Sequence, residues 1–253
     1  MAFVNTLHKS LKVNSNNLAF CINEKEYTYG ELDIIVSKIR FSVKNTIGDT
    51  EKYVGIYTHD DIFTYASIIA LWFENKSYVP INPIYPEDRN FNILNLAGCK
   101  TVLDSSDDTT LAKRVNVINT SNLNDNYVEF DIESSDKNDI AYIFFTSGST
   151  GVPKGVPITF KNVTEFVNEL DNDDIFKIDY RDKFLQMFEL TFDLSVVSFL
   201  MPLLHGASVF TIPKNKIKPL YIVKLINEYK LTVLLMVPSI ITNLRPYFSE
   251  IHS

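Results

Sequence analysis

Apolar positions along the first hundred residues switch between two periods, and the switches predict alternating strands and helices. Residues 18–29 read as a hairpin around the polar turn Asn23-Glu24-Lys25. Leu32, Ile35, Val36, Ile39 and Val43 then recur at helical spacing. Thr28 stands three residues before Glu31, a capping-box spacing, so an amphipathic helix is predicted to about Lys44. Residues 53–57 are a short strand, and Asp60 and Asp61 open a helix through Ile68, Ile69, Leu71 and Trp72. Pro80, Pro83 and Pro86 impose an extended segment and a turn. Glu87-Asp88-Arg89 starts a helix that ends at Gly98, and Thr101-Val102-Leu103 is a strand. Alternation at this pace predicts an open α/β sheet.

Residues 105–137 break the pattern. They are polar and uneven, with Asp107-Asp108, Asn124-Asp125-Asn126 and Ser134-Ser135-Asp136, and suit exposed connections. Two α/β subdomains are therefore expected, residues 1–135 and residues 136–253. In the second, residues 140–145 form a short apolar run bounded by breakers, as in a sheet interior. Val156-Pro157-Ile158-Thr159 is a strand, and Val163, Phe166, Val167 and Leu170 mark a helix. Further strands are predicted at 184–187, 207–212 and, buried, at 231–237. Further helices are predicted at about 194–204, at 219–229 and from Pro238.

Composition narrows the class. A net charge of −7 argues against a nucleic-acid partner, which wants a basic face, and suits a cytoplasmic protein. Cys21 and Cys99 make neither a disulfide framework nor a metal spacing and read as reduced core thiols. The first twenty residues contain no apolar core of a signal peptide. No apolar run approaches the roughly 20 residues of a membrane span. His59 reads as a solvated loop residue. His205 reads as a helix C-terminal residue, where a partly positive ring is favourable.

The chemistry is concentrated where the aromatic run at 140–145 ends in Thr146-Ser147-Gly148-Ser149-Thr150-Gly151-Val152-Pro153-Lys154-Gly155. Gly148, Gly151 and Gly155 let backbone approach a ligand and take positive φ. Thr146, Ser147, Ser149 and Thr150 offer hydroxyls beside bare N–H groups, and Lys154 adds a cation. Such a loop suits a polyphosphate. A plain turn would not need four hydroxyls, a lysine and no acid. The P-loop of NTPases fails, because Pro153 precedes Lys154 and a strand, not a helix, follows it.

This loop resembles the signature of the adenylate-forming (AMP-binding) superfamily, which includes acyl-CoA synthetases, luciferases, peptide-synthetase adenylation domains and D-alanine–carrier-protein ligases. Tyr78-Val79-Pro80-Ile81-Asn82-Pro83-Ile84-Tyr85-Pro86 is similar to a segment of the amino-acid-activating members, with Asn82 where that pattern usually has Asp. The resemblance implies layered sheets with flanking helices, the N-terminal part of the adenylate-forming large domain. It implies ATP and Mg2+, with residues 146–154 around the β- and γ-phosphates. It implies an amino acid as substrate and a phosphopantetheinylated carrier protein as acceptor.

Phe192-Asp193-Leu194-Ser195 has two readings. Asp193 at a helix start would cap free N–H groups, which alone contributes about 0.5–2 kcal/mol over Ala. Its neighbours Phe188, Leu190, Phe192 and Leu194 are apolar, so a carboxylate there wants a partner. The resemblance makes Asp193 the anchor of a substrate amine and Phe192 an aromatic wall. Rival readings are an acyl-CoA synthetase for a simple acid, which needs no amine anchor, and a non-catalytic nucleotide-binding module. The family's segments for adenine, ribose and magnesium, and its C-terminal lid with a catalytic lysine, have no match in these 253 residues. The chain is expected to be the first half of such an enzyme and inactive alone; amino-acid-dependent ATP–pyrophosphate exchange by these residues would refute that.

Overall fold

The computed structural model describes residues 2–107, 110–124, 131–132, 136–147, 153–173 and 176–252. A helix, α1 (Ala2–Val13), leads into the hairpin β1 (Leu18–Ile22) and β2 (Lys25–Thr28). Then come α2 (Tyr29–Thr46), β3 (Tyr53–Tyr57), α3 (Ile62–Phe73), β4 (Ser77–Ile81), α4 (Glu87–Ala97), β5 (Thr101–Asp104) and β6 (Asn116–Asn119). The second half holds β7 (Ile140–Ser147), β8 (Pro153–Thr159), α5 (Phe160–Asn172), β9 (Lys183–Gln186) and α6 (Leu194–Leu204). It ends with β10 (Ser208–Thr211), α7 (Lys218–Tyr229), β11 (Val233–Leu234) and α8 (Pro238–Leu244).

The local signals explain the elements. The capping box at α2 is complete: Glu31 N–H donates to Thr28 Oγ1 at 3.2 Å, and Thr28 N–H donates to Glu31 Oε2 at 2.7 Å. Asp61 caps α3 by accepting from Thr64 N–H at 2.9 Å. Gly98 ends α4 at φ 75°, which glycine adopts without steric cost. α1 was not expected; Phe3, Val4, Leu7 and Leu11 make its buried face.

The strands form two sheets. One runs β6-β5-β3-β4-β7-β8, and the other runs β11-β9-β10-β1-β2. Each is parallel except for one antiparallel edge, β8 or β2. The expected division at 135/136 does not coincide with the sheets. β1, from the first half, pairs with β10 (Phe20 opposite Val209), and β7, from the second half, pairs with β4 (Tyr78 opposite Tyr142). One hydrophobic cluster joins both sheets, and its centre is α3, in which every residue but Phe63 is buried. Trp72 sits there with Phe3, Tyr78 and Phe199 around its ring and its indole N–H on Ala141 O at 3.1 Å. The strand expected at 231–237 shrinks to Val233–Leu234, half-buried at the sheet edge.

Candidate active site

β7 and β8 are the two arms of an antiparallel hairpin, with Thr146 opposite Lys154 and Ser147 opposite Pro153. The hydroxyl- and glycine-rich segment lies between these two arms in the sequence. Gly148, Ser149, Thr150 and Gly151 themselves lie outside the described residues, as does the side chain of Ser147. Thr146 and Lys154 are exposed at the ends of the two arms. The Thr146 hydroxyl is 3.5 Å from Lys154 O, too long to hold it firmly. Lys154 is followed by a strand, as the exclusion of a P-loop requires. Gly155 was expected to supply positive φ, but it is not among the described residues with that backbone. Its need is steric: a Cβ there would lie 3.1 Å from the Phe145 ring and 3.2 Å from Ile143 Cγ2.

A cleft of about 780 Å³ opens in front of this hairpin. Tyr142, Phe144 and Thr146 line it on one side, and Phe188, Phe192 and Asp193 line it on the other. Thr146, Phe192 and Asp193, selected separately in the sequence, thus share one cavity; Lys154 does not line it. Arg89 and Lys218 also line it; the sequence placed Arg89 only at a helix start and did not mark Lys218. The Arg89 guanidinium lies over the Tyr85 ring at 4.2 Å, and Lys218 Nζ donates to Met187 O at 3.2 Å. Arg89 had a signal in the acidic start of α4. Lys218 had none, because its approach to the cleft depends on the return of the chain after β10.

Asp193 is the N-cap of α6, and its carboxylate accepts from Leu194 N–H at 2.9 Å. The apolar neighbours in sequence suggested a carboxylate short of water. In the fold Asp193 is exposed, so desolvation does not force a partner on it. One main-chain hydrogen bond leaves it acceptor capacity toward the cleft. Its charge is felt nearby: burial chiefly, and Asp193 in addition, push the Tyr142 phenol up to about 12. Phe192 is 48% exposed and its ring lies 5.9 Å from that of Phe188. A second pocket of about 310 Å³ meets the cleft at Tyr142, Ile158 and Asp193. Val163 and Val167 of α5 and Leu200 and Met201 of α6 make it apolar.

His59 and His205, the two histidines weighed in the sequence, both have partners. His59, expected in solvent, lies 2.8 Å from the buried Asp104, and His205 at the end of α6 lies 2.9 Å from Asp171. Among the described residues no group of three or more His, Cys, Asp or Glu could hold a metal ion. The described residues by themselves therefore do not make a magnesium site. No helix among the described residues is long and apolar enough to cross a membrane.

Residues 7–251 match the family described as "AMP-binding enzyme". The chain belongs to that family. Among curated relatives it is 27% identical over 245 residues to gramicidin S synthase 1 of Brevibacillus brevis, covering 91% of this chain and 22% of that protein. It is 28% identical over 226 residues to the D-alanine–D-alanyl carrier protein ligase of Staphylococcus epidermidis, covering 89% of this chain and 45% of that one. The chain thus spans less than half the length of either family member. Among solved structures, holo-PA1221, a nonribosomal peptide synthetase protein containing adenylation and carrier domains, superposes with a TM-score of 0.85 at 18% identity, over 97% of this chain and 42% of that one. FmoA3 in its AMPPNP-bound form gives 0.84 at 20% identity, over 99% of this chain and 27% of that one. Both likenesses show the fold, two sheets flanked by helices as in the N-terminal part of adenylation domains.

Proposed function

We propose that the protein to which this chain belongs activates the carboxylate of an amino acid with ATP and passes the acyl group to a thiol. A substrate carboxylate attacks the α-phosphorus of ATP, giving an aminoacyl-adenylate and releasing pyrophosphate. The phosphopantetheine thiol of a carrier protein then attacks the acyl carbon and AMP leaves. No general base is needed for the first step, because a carboxylate is ionised near neutral pH. The difficulty is the meeting of negative groups, so the protein's part is placement and neutralisation. The hydroxyls and N–H groups of 146–151, with the Lys154 ammonium, would receive the β- and γ-phosphates. Asp193 would hold the substrate ammonium through a charge-assisted bond, with Phe192 as a wall. A side chain on a substrate so held would face the apolar pocket between α5 and α6. Magnesium would travel with the nucleotide. ATP as co-substrate supports a cytoplasmic place of work.

The observation that carries this reading is that Thr146, at the foot of the phosphate loop, and Asp193 line one cleft. The test is amino-acid-dependent ATP–pyrophosphate exchange by the full-length protein. Asp193→Ala is expected to cut exchange about 10- to 100-fold through KM for the amino acid, the worth of a charged hydrogen bond. Lys154→Ala is expected to act on KM for ATP instead. An Asp193→Ala enzyme with unchanged exchange would remove the amine anchor. Activity restricted to simple carboxylic acids with coenzyme A would replace this reading by that of an acyl-CoA synthetase.

A further inference from the structure

Asn82 stands just beyond β4 and is 3% exposed. Its Oδ1 accepts from Ile84 N–H at 2.9 Å, and its main-chain oxygen accepts from the buried Asn90 side chain at 2.7 Å. Its Nδ2 donates to Glu189 Oε2 at 2.9 Å, across 107 positions of sequence. The amide is therefore fixed in both orientation and kind: one end must accept and the other must donate. A carboxylate at 82 would meet the Glu189 carboxylate at hydrogen-bond distance with no proton between them. Glu189 begins the turn that leads to the candidate anchor. Its main-chain oxygen accepts from Phe192 N–H at 2.9 Å, and Phe192 O accepts from Ser195 N–H at 3.0 Å and Ser195 Oγ at 2.6 Å. Glu189 itself is exposed, at the partition between the main cleft and a smaller pocket of about 220 Å³ at the strand ends.

We propose that the Asn82–Glu189 hydrogen bond is a clamp between the two sheets that positions the 189–193 turn, and with it Asp193, for the substrate ammonium; this rests on the amino-acid reading above. The Asp193 carboxylate is exposed and, among the described residues, accepts only from Leu194 N–H, while its main-chain oxygen accepts from Val196 N–H at 3.0 Å, so burial of the side chain does not place it. Its position follows the turn, and the turn is tied to the β4 end through Glu189. Asn82 and Glu189 are positioning residues here, with no role in the chemistry.

The polarity of the bond supplies the test. In the full-length protein, Asn82→Asp puts two carboxylates face to face, and adding Glu189→Gln restores a donor–acceptor pair with the donor on the other side. Asn82→Asp is expected to raise KM for the amino acid about tenfold, since misplacement of about 1 Å can cost about 10²-fold. KM for ATP should stay within about twofold, and the double variant should recover most of the loss. Glu189→Ala, on the exposed side, should give the same split if Asn82→Asp does not fold. Equal changes in both KM values, or no recovery in the double variant, would overturn the clamp. If the wild-type protein shows no exchange with any amino acid, the functional reading itself has failed. The clamp is then still read by the thermal midpoint, which Glu189→Ala should lower in the wild type, where it removes the acceptor of the Asn82 amide, and raise beside Asn82→Asp, where it removes a facing carboxylate. A change of the same sign in both backgrounds would overturn it.

Discussion

Asp60 shows how one residue's burial sets a pH dependence. It follows β3 at the ends of the strands, and burial pushes its carboxyl above the usual carboxylate range, against the opposing pull of Lys214. A carboxyl whose pKa is higher folded than unfolded favours folding in its protonated form. That contribution is complete below the ordinary value of about 3.9 and is lost as pH rises through the raised one. Asp60→Asn, which cannot ionise, is therefore expected to be more stable than the wild type at pH 7. The difference should close as pH falls toward about 3. Urea midpoints across that range would decide it; a difference independent of pH would mean that ionisation of Asp60 is not what burial opposes. Asp193 makes the complementary point. Its apolar neighbours in sequence suggested a shielded carboxylate, yet its backbone at the start of α6 turns it outward. Adjacency along the chain says little about solvent when a helix begins at that residue.

At the scale of elements, α2 and α3 are joined by a buried ion pair as well as by apolar packing. Arg40 of α2 donates from Nε to Glu74 Oε1 at 2.6 Å, and both side chains are 3% exposed. Glu74 caps the end of α3 and takes a second cation, Lys44, at 3.1 Å. Such a pair adds little net stability, but removing one member strands the other in a poor solvent for charge. Glu74→Ala is expected to destabilise the fold by about 3–5 kcal/mol, read from urea unfolding. A loss under about 1 kcal/mol would show that water reaches Arg40 once the glutamate is gone. The helices themselves were legible: apolar spacing and the Thr28–Glu31 capping box placed α2 within two residues of its observed end. Arg40 was not, because a cation on a predicted helix is ordinarily solvated. What burial it suffers depends on where the 131 segment passes, and Asp131 O accepts from Arg40 Nη2 at 2.8 Å.

For the whole molecule, the interleaving of the halves is the decisive feature. β1 and β2 complete a sheet made otherwise of β9, β10 and β11, while β7 and β8 complete the sheet of β3 to β6. Cutting at the polar stretch after residue 124 would leave β1 without its β10 partner and β4 without β7. Residues 1–135 produced alone are accordingly expected to lack cooperative unfolding. A sharp thermal or urea transition in that piece would show that the first sheet is self-sufficient. The polar run at 105–137 suggested a boundary because exposed connections and domain linkers share a composition. It hides the strand β6, whose four residues include two asparagines.

The sequence alone determined the strand-to-helix alternation, the caps, the hydroxyl- and glycine-rich motif at 146–155 and the family, since each is written in residues that are near neighbours along the chain. Periodicity and capping are local physics, fixed by backbone geometry within a turn or two. Only the tertiary structure decided which strands pair across the two halves. Only it decided that Thr146 and Asp193 line one cleft, and that the Asn82 amide meets a glutamate, where an acid at the same position would not serve. Those outcomes depend on what residues a hundred positions apart meet when the two sheets close on α3, and no short window of sequence contains that meeting.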